Sequence, residues 1–282
     1  MSATYKNGTI LQQWLWSMTM KASLKSLYDA QGFLTAVPII SPTQALAHRS
    51  ILQAVEAQRG PMHYQFKVHT AMNSPYQLAT LPGLLDIVEQ LIGPDILLYN
   101  TTYIIKEAHT ESHVSWHQDL TYWGLDSDAQ VSVWLALSEA SEASGCMHMI
   151  PSSHIHGQQQ HHTTKDAHNV LLSGQTVKGI DPKESVVVSL TEGQASFHHG
   201  WTLHCSQPNV SDDRRIGLNI QYINPAVKQI KQQQDSAILV RGVDDYGHFQ
   251  TDQPAMSNFD EKSWLQQQAL HKKMTSIQGD PK

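Results

Sequence analysis

The feature that most limits how this chain can fold is a series of short β-type segments that begins near residue 95. The segments are rich in Val, Ile, Leu and aromatic residues, and turns rather than helical stretches separate them. Strands that follow one another in this way pair antiparallel and close into a barrel or jelly roll, not a doubly wound sheet. The segments are residues 96–99, 103–105, 131–137, 147–150, 186–190, 195–197 and 216–223, with a long loop over about 153–183.

Helical patterns lie on both sides of these segments. Ser41 before Pro42 is typical of a helix start, and Gly60 ends the apolar pattern that follows, so we predict a helix between them. Further helices are predicted at about 21–30, from Pro82 to Gly93, and at about 259–274. We expect the helices to pack outside the β core.

The chain is long enough for one large domain, and we see no internal repeat or linker. We therefore predict a single domain over residues 1–282. It has a helical N-terminal portion at about 1–94, a jelly-roll core at about 95–225 and a C-terminal extension at about 226–282. The predicted class is mainly β with peripheral helices.

Composition excludes several kinds of protein. The formal net charge is −6 and no segment concentrates cations, so we expect no nucleic-acid partner. No apolar run of about eighteen residues occurs, and residues 1–20 lack the regions of a signal peptide, so we expect no membrane association. The two cysteines, Cys146 and Cys205, are too few for a disulfide framework, which favours a cytoplasmic location.

Histidine is abundant, with 17 residues, and one pair of side chains suggests a metal site. In an extended segment residues i and i+2 point to the same face, so His117 and Asp119 lie side by side. His204 follows a β segment and can supply a third ligand if two strands adjoin. Two histidines and one carboxylate form the facial triad of non-heme Fe(II) oxygenases, which leaves positions open for a 2-oxo acid and dioxygen.

Other histidines offer competing interpretations. His109 and Glu111 repeat the same alternation, but their surroundings are polar and favour a solvated loop. The tract 154–168 is rich in His and Gln, and a solvated loop is its more typical role, with a second metal site and a lid as alternatives.

The third ligand also has alternatives. His198 and His199 lie close to His204 in sequence, and the spacing to Arg215 favours His204. Arg215 opens a strongly β segment, and its planar guanidinium can bind a carboxylate through two hydrogen bonds. An ordinary salt bridge is the simpler interpretation of Arg215 if His204 is set aside.

Several ordered motifs lie between about residues 97 and 224. They are Trp116-His117-Gln118-Asp119, residues 131–137, residues 144–147 leading to 150–154, and His204-Cys205-Ser206-x-Pro208-Asn209 ending in Arg215. Together these motifs resemble the phytanoyl-CoA dioxygenase family of Fe(II)- and 2-oxoglutarate-dependent oxygenases. Ser152 departs from this pattern, because the family usually has glycine there. Residues 239–242 and 246–249 are similar to the tail of small bacterial members.

The resemblance implies a double-stranded β-helix, the jelly-roll fold of cupins. It implies His117, Asp119 and His204 as Fe(II) ligands and as the catalytic residues, and Arg215 as the partner of the distal carboxylate of 2-oxoglutarate. The implied co-substrates are 2-oxoglutarate and O2, with ascorbate as a candidate reductant. Further residues implied at the co-substrate are Ser206, Trp134, Ser132 and Gln118.

Relatives that halogenate carry a small residue in place of the carboxylate ligand, so Asp119 predicts hydroxylation. We expect a dioxygenase that hydroxylates an unactivated carbon of a small polar metabolite, of amino acid, betaine or organophosphonate type, with release of succinate and CO2. Lys67, His69, Tyr103 and Lys106 precede the triad and would suit an anionic group, although each is individually more typical of a surface residue.

Two alternatives remain open. One is a non-catalytic cupin-like protein that binds a metal or 2-oxoglutarate; a structural zinc site, however, has four ligands where three are expected here. The other is an oxygenase of the same family that acts on a lipid or acyl-CoA substrate, for which the sequence offers no basic patch.

Overall fold

Thirteen β-strands occur in the part of the chain that the computed structural model describes, which is residues 24–171, 174–232 and 234–279. The predicted mainly β architecture is confirmed. The strands are β1 (Phe33–Pro38), β2 (Ile96–Lys106), β3 (Val114–His117), β4 (Gln130–Ala136), β5 (Met147–Met149), β6 (His161–Thr163), β7 (Gln175–Val177), β8 (Val186–Val188), β9 (Gln194–His198), β10 (His204–Ser206), β11 (Arg215–Ile223), β12 (Asp235–Arg241) and β13 (Phe249–Thr251).

The α-helices lie before, between and after these strands, and residues 24–31 are also helical. Ser41 caps the first labelled helix as predicted: its side chain accepts a hydrogen bond from the backbone of Gln44, and the Gln44 side chain accepts one from the backbone of Ser41. The helices are α1 (Pro42–Arg59), α2 (Asn73–Ala79), α3 (Pro82–Ile92), α4 (Leu120–Trp123) and α5 (Glu261–Gln278).

The larger sheet has seven strands in the order β1-β9-β4-β11-β2-β12-β13. Its central strand, β11, pairs antiparallel with β4 on one side and β2 on the other, and nearly all of its residues are buried. The register places Arg215 opposite Lys106 at one end of β11. Two basic side chains are therefore neighbours inside the molecule.

The smaller sheet has four strands in the order β3-β10-β5-β8. Strands β3 and β10 are antiparallel, and their register places His204 directly opposite His117. Residues that lie far apart in sequence are thus brought together by one strand pair. Strands β6 and β7 form a separate hairpin.

Apolar side chains from both sheets meet between them. Trp134 and Ala136 of β4 contact Met147 and Met149 of β5 in one buried cluster. The opposite face of the larger sheet packs against apolar residues of α1 and α3 in a second, larger cluster. The helices therefore lie outside the β layers, as the sequence predicts.

The sheets extend beyond the predicted core at both ends. Strand β1 lies in the portion predicted to be helical and pairs with β9, while β12 and β13 continue the larger sheet after residue 225. The two segments predicted at 96–105 form the single strand β2. Part of the predicted loop over 153–183 forms the β6–β7 hairpin.

Two predictions fall partly or wholly outside the described residues. The helix predicted at 21–30 is observed over 24–31, and residues 21–23 lie outside the description, as do residues 1–20. Among the described helices, none combines the length and apolar character needed to cross a bilayer.

Candidate metal centre and adjoining cavity

Three ligand-type side chains converge where β3, β10 and α4 meet. His117 ends β3, His204 begins β10, and their ring centroids are 4.0 Å apart. Asp119 follows two residues later, at the start of α4. One potential ligand atom from each of these residues lies within 4.8 Å of the others, and no other group of this kind is found in the described part of the chain.

The backbone fixes which nitrogen of each imidazole is available. His117 Nδ1 donates to the carbonyl of Ser115 at 2.9 Å, and His204 Nδ1 donates to the carbonyl of Thr202 at 3.0 Å. Because a carbonyl oxygen only accepts, the proton of each neutral ring is on Nδ1, and Nε2 carries a free lone pair. These Nε2 atoms lie 3.5 and 3.6 Å from Asp119 Oδ1, a spacing that suits neighbouring ligands of one cation.

The second oxygen of Asp119 has protein partners. Ser132 Oγ donates to Oδ2 at 2.7 Å, and His198 Nε2 lies 3.2 Å from the same atom. Burial raises the pKa of Asp119, but the adjacent imidazoles of His117, His198 and His204 outweigh it and hold the pKa well below its usual value. The carboxylate is therefore ionised, with Oδ1 facing the two imidazoles.

Burial and the nearby His117 lower the pKa of His204 well below its usual value. His204 is accordingly neutral near pH 7, which is the form that ligates a metal. His198, the first alternative third ligand, contacts Asp119 Oδ2 instead. His199, the second, lies near Asp128, with Nε2 and Oδ2 3.6 Å apart.

A cavity of about 90 Å³ opens beside these three groups. Arg215 lies in its wall, almost fully buried, with its guanidinium carbon 5.1 Å from the centre of the Trp134 ring. One guanidinium nitrogen donates to the carbonyl of Gly145 at 2.6 Å, whereas Nε is buried without a partner among the described residues. Burial lowers the pKa of Arg215 to about 10, so the group stays cationic at neutral pH and can accept an anionic partner.

Ser206 lines the cavity near Arg215. Lys106 Nζ donates to Ser206 Oγ at 2.9 Å and also to the carbonyl of Gln207. The Ser206 hydroxyl thus remains free to donate its own proton into the cavity. Burial, and then the charge of Arg215, lower the pKa of Lys106 to about 6.

Two implied co-substrate residues have other contacts. Ser132 donates a hydrogen bond to Asp119 and does not line the cavity. Gln118 is fully buried away from the cavity: Nε2 donates to the carbonyls of Gly157 and Trp201, and Oε1 accepts from Gln159. Gln118 is predicted to face the co-substrate or the substrate, but in this structure its side-chain amide binds the adjacent loops.

The competing histidines lie elsewhere. His109 is exposed and pairs with Asp212, as expected for a solvated loop. In the tract 154–168, His161 is half-buried and its Nε2 accepts a hydrogen bond from the backbone of Gln118. This part of the tract packs against the candidate metal centre instead of extending into solvent.

The polar residues considered for an anionic group are buried but absent from the cavity wall. Lys67 forms an ion pair with Asp252 at 3.0 Å, and His69 contacts Thr101. Lys106 reaches the cavity only through Ser206. These positions were not predictable, because residue type alone does not tell which face of a strand or turn lines the cavity.

Several cavity residues escaped the sequence analysis. Asn219 and Gln221 lie four and six residues after Arg215 on β11, so strand alternation would have placed them on the face of Arg215. The others carry no comparable signal in the sequence. They include Tyr64, Phe66, Thr102, Tyr122, Trp123 and Gln278.

Comparison with known proteins gives consistent results. The sequence profile of the family described as phytanoyl-CoA dioxygenase (PhyH) matches residues 32–217. A probable alpha-ketoglutarate-dependent hypophosphite dioxygenase of Stutzerimonas stutzeri is 30% identical over 49% of this chain and 49% of its own. An L-proline trans-4-hydroxylase of Streptomyces griseoviridis is 25% identical over 52% of this chain and 61% of its own. The chain spans about half the length of the curated relatives it matches.

Solved structures extend the likeness over most of the chain. The apo form of ThoJ, a non-heme monooxygenase, superposes with a TM-score of 0.77 at 30% identity, over 89% of this chain and 98% of that one. The epimerase SnoN, solved with Fe3+ and alpha ketoglutarate, has a TM-score of 0.63 at 19% identity, over 75% of this chain and 86% of that one, which supports the fold alone. These neighbours confirm the double-stranded β-helix expected from the sequence.

Proposed function

Because this chain belongs to the phytanoyl-CoA dioxygenase family, we propose that it is an Fe(II)- and 2-oxoglutarate-dependent dioxygenase. It hydroxylates an unactivated carbon of a small polar metabolite and releases succinate and CO2. The family membership confirms the resemblance drawn from the sequence. The observation that carries the proposal is the presence of a two-histidine, one-carboxylate cluster and a buried, partly unpaired arginine at one cavity.

The donor set fits an iron ion held by His117, Asp119 and His204. Both imidazoles turn Nε2 towards Asp119 Oδ1, and Asp119 presents one ionised oxygen, so the three ligand atoms face a common point. Three protein ligands leave the other positions of a six-coordinate ion open, as catalysis requires.

The residues beside the cluster fit 2-oxoglutarate. Arg215 is the partner we assign to its distal carboxylate, since Nε is buried and has no hydrogen-bond partner in the described part of the chain. Ser206 has a proton to donate to the same carboxylate, and Trp134 packs against the guanidinium and restricts its position. Bidentate binding by Arg215 would fix the orientation of the co-substrate.

The chain's own part in the reaction is positioning and exclusion of water. When bound, iron and 2-oxoglutarate supply the oxidising chemistry, in which dioxygen is consumed and 2-oxoglutarate loses CO2. Ser132 and His198 keep Asp119 Oδ2 occupied, which leaves Oδ1 as the single oxygen for the ion. Aromatic side chains of the wall, among them Tyr122 and Trp123, shield the reacting carbon from solvent.

A small polar substrate is supported by the remainder of the wall, where Thr102, Asn219 and Gln221 offer hydrogen bonds among the aromatic residues. Small molecules are also named for two relatives, hypophosphite for one and L-proline for the other. A lipid substrate is less well supported, since such a chain would leave these polar groups unpaired.

A non-catalytic binding role is the alternative. It does not explain why the cluster has three protein ligands and an open side, because structural zinc sites use four ligands.

Succinate formation distinguishes enzyme from binding protein. Purified protein with Fe(II), 2-oxoglutarate, ascorbate and a panel of amino acids, betaines and phosphonates is expected to release succinate only when oxygen is present. Asp119→Ala should abolish succinate formation coupled to substrate oxidation, whereas Asp212→Ala, which removes a fully exposed carboxylate, should not. Near-normal coupled turnover by Asp119→Ala would refute the proposal.

A further inference from the structure

The C-terminal helix α5 lies outside the segment matched by the family profile, yet it forms part of the cavity wall. The profile ends at residue 217, and α5 spans Glu261–Gln278. Its last residue, Gln278, lines the cavity and is only 6% exposed. A helix beyond the family's shared segment therefore contributes directly to the space beside the metal centre.

Specific contacts fix the end of this helix. Lys231 Nζ donates to the carbonyl of Tyr122 at 2.9 Å and to the carbonyl of Ile277 at 3.3 Å. Ile277 also packs in the same buried cluster as Trp123. Lys231 thus joins the segment that carries Tyr122 to the end of α5.

A second contact joins α5 to another residue of the wall. Gln267 Nε2 donates to the carbonyl of Phe66 at 2.7 Å, and Phe66 itself lines the cavity. The helix therefore contacts the wall at a second point besides Gln278.

Polar atoms of the wall remain unpaired. Gln278 Nε2 and the hydroxyl of Tyr122 are buried, and neither has a hydrogen-bond partner among the described residues. Asn219 Oδ1, on β11, is likewise buried and unpaired. A buried polar group without a partner is unfavourable, so these atoms require a ligand with both acceptor and donor groups.

Charge limits what that ligand can be. Apart from the histidines, the described residues of the wall include one acidic side chain, Asp119, and one basic side chain, Arg215. Asp119 is assigned to the metal, and Arg215 is assigned to 2-oxoglutarate. A charged group of the substrate placed near Gln278 would have no counter-charge, and burial of an unpaired charge is strongly unfavourable.

We infer that Gln278 is a specificity-determining residue that donates a hydrogen bond to an uncharged polar group, such as an amide, of the substrate. Tyr122 and Asn219 complete the set of partners for that group. The part of the substrate that lies against Gln278 is therefore neutral. This inference rests on the proposed function, since it assigns Arg215 to 2-oxoglutarate.

The test compares three charge forms of one skeleton. N-acetyl-L-prolinamide is neutral, N-acetyl-L-proline is anionic and L-prolinamide is cationic, and the same three forms of alanine and serine extend the series. Binding is measured by calorimetry to protein loaded with Mn(II) and 2-oxoglutarate without oxygen. The neutral form should bind most tightly within each series.

Substitutions at Gln278 then test the residue itself. Gln278→Leu should lower the affinity for the neutral form about tenfold, the loss expected for one hydrogen bond, while the affinity for 2-oxoglutarate stays unchanged. Gln278→Glu keeps the size and adds a negative charge, so it should shift preference towards the cationic form by about tenfold or more. Gln268→Leu places the same leucine at an exposed position of α5 and serves as the matched control.

The outcomes separate this inference from the proposed function. Failure of the wild-type protein to bind 2-oxoglutarate in the presence of Mn(II) counts against the function. If 2-oxoglutarate binding is intact, three results would overturn the inference and leave the proposed function standing. They are a charged form that binds as tightly as the neutral one, no binding of any neutral form, or two Gln278 variants that both behave like Gln268→Leu. The Glu variant carries the test should the Leu variant fail to fold.

Discussion

The two carboxylate oxygens of Asp119 have different surroundings. Oδ1 faces the imidazoles of His117 and His204, while Oδ2 accepts from Ser132 and His198. A carboxylate held in this way has one oxygen left for a metal and a fixed orientation. Such outer partners raise metal affinity because less order has to be imposed when the ion binds.

Ser132→Ala tests this arrangement. Removal of the 2.7 Å hydrogen bond to Asp119 Oδ2 should weaken Mn(II) binding about tenfold, measured by calorimetry. Ser196→Ala is the matched control, because Ser196 is equally buried on the neighbouring strand β9 and its hydroxyl has no partner among the described residues. Equal metal affinity in the two variants would contradict the assigned role of Ser132.

Lys106 gives a pH-dependent prediction. Its pKa is lowered from 10.5 to about 6 in the folded protein, so between these values the unfolded chain binds more protons. Stability therefore rises with pH across this range, and the penalty of burying the charge is greatest below about pH 6. Lys106→Met should raise Tm, and the gain over wild type should be larger at pH 6 than at pH 9.

Melting temperatures of wild type and Lys106→Met, measured between pH 6 and pH 9, test whether the gain in Tm falls as the pH rises. Lys231→Met is a control, because Lys231 is a partly buried lysine whose pKa is lowered less. A gain from Lys106→Met that is constant with pH, or that grows as pH rises, would contradict the prediction.

At the scale of elements, β11 organises the cavity. Arg215, Asn219 and Gln221 line the cavity from alternate positions of this strand, and Gly217 lies between them. A Cβ atom at Gly217 would lie 2.0 Å from the Trp134 ring, so glycine here permits the indole to cross the strand. The same indole packs against the Arg215 guanidinium.

Gly217→Ala should therefore displace Trp134 and disturb Arg215. We expect the affinity for 2-oxoglutarate to fall about tenfold or more, with a loss of stability of about 1–3 kcal/mol from overpacking. Gly83→Ala in α3 is the control, since nothing lies within 4 Å of an added Cβ there. Unchanged binding of 2-oxoglutarate by Gly217→Ala would show that the indole does not position Arg215.

Elements with strong local patterns were predictable from the sequence. Strands β4 and β11 are continuous runs of β-favouring residues, and α1 has a capping residue at its start, so local preference and fold agree. Strand β1 was missed because it is short, includes Ala36 with a positive φ and ends in Pro38. Its strand conformation depends on pairing with β9, which no local pattern reveals.

The site was predictable to a different degree. The sequence indicated His117, Asp119, His204 and Arg215 because motif spacing and strand alternation place them together. Gln118 shows the limit, since a resemblance gives the position of a residue but not the partners of its side chain. Its contacts with residues 157 and 159 depend on how the loop after β5 folds back.

At the scale of the whole molecule, the candidate site joins parts of the chain that are distant in sequence. Its residues come from both sheets, from α4 and from the end of α5. A ligand that contacts all of these elements binds the folded state only, and so it must stabilise the fold as a whole. The candidate site and the stability of the domain are therefore linked.

Metal and co-substrate should raise the melting temperature together. With Mn(II) and 2-oxoglutarate each at about a hundred times its Kd, each ligand should add about 2.7 kcal/mol, which corresponds to a rise in Tm of about 5–10 °C per ligand. Removal of the metal with a chelator should reverse both increments, because the ion supplies part of the 2-oxoglutarate site. Asp119→Ala should melt at a temperature that neither ligand changes, while Asp212→Ala, altered only at an exposed carboxylate, should respond like wild type. A rise in Tm with 2-oxoglutarate that is equally large in Asp119→Ala would place the co-substrate away from the triad and contradict the arrangement argued from His117, His204 and Arg215.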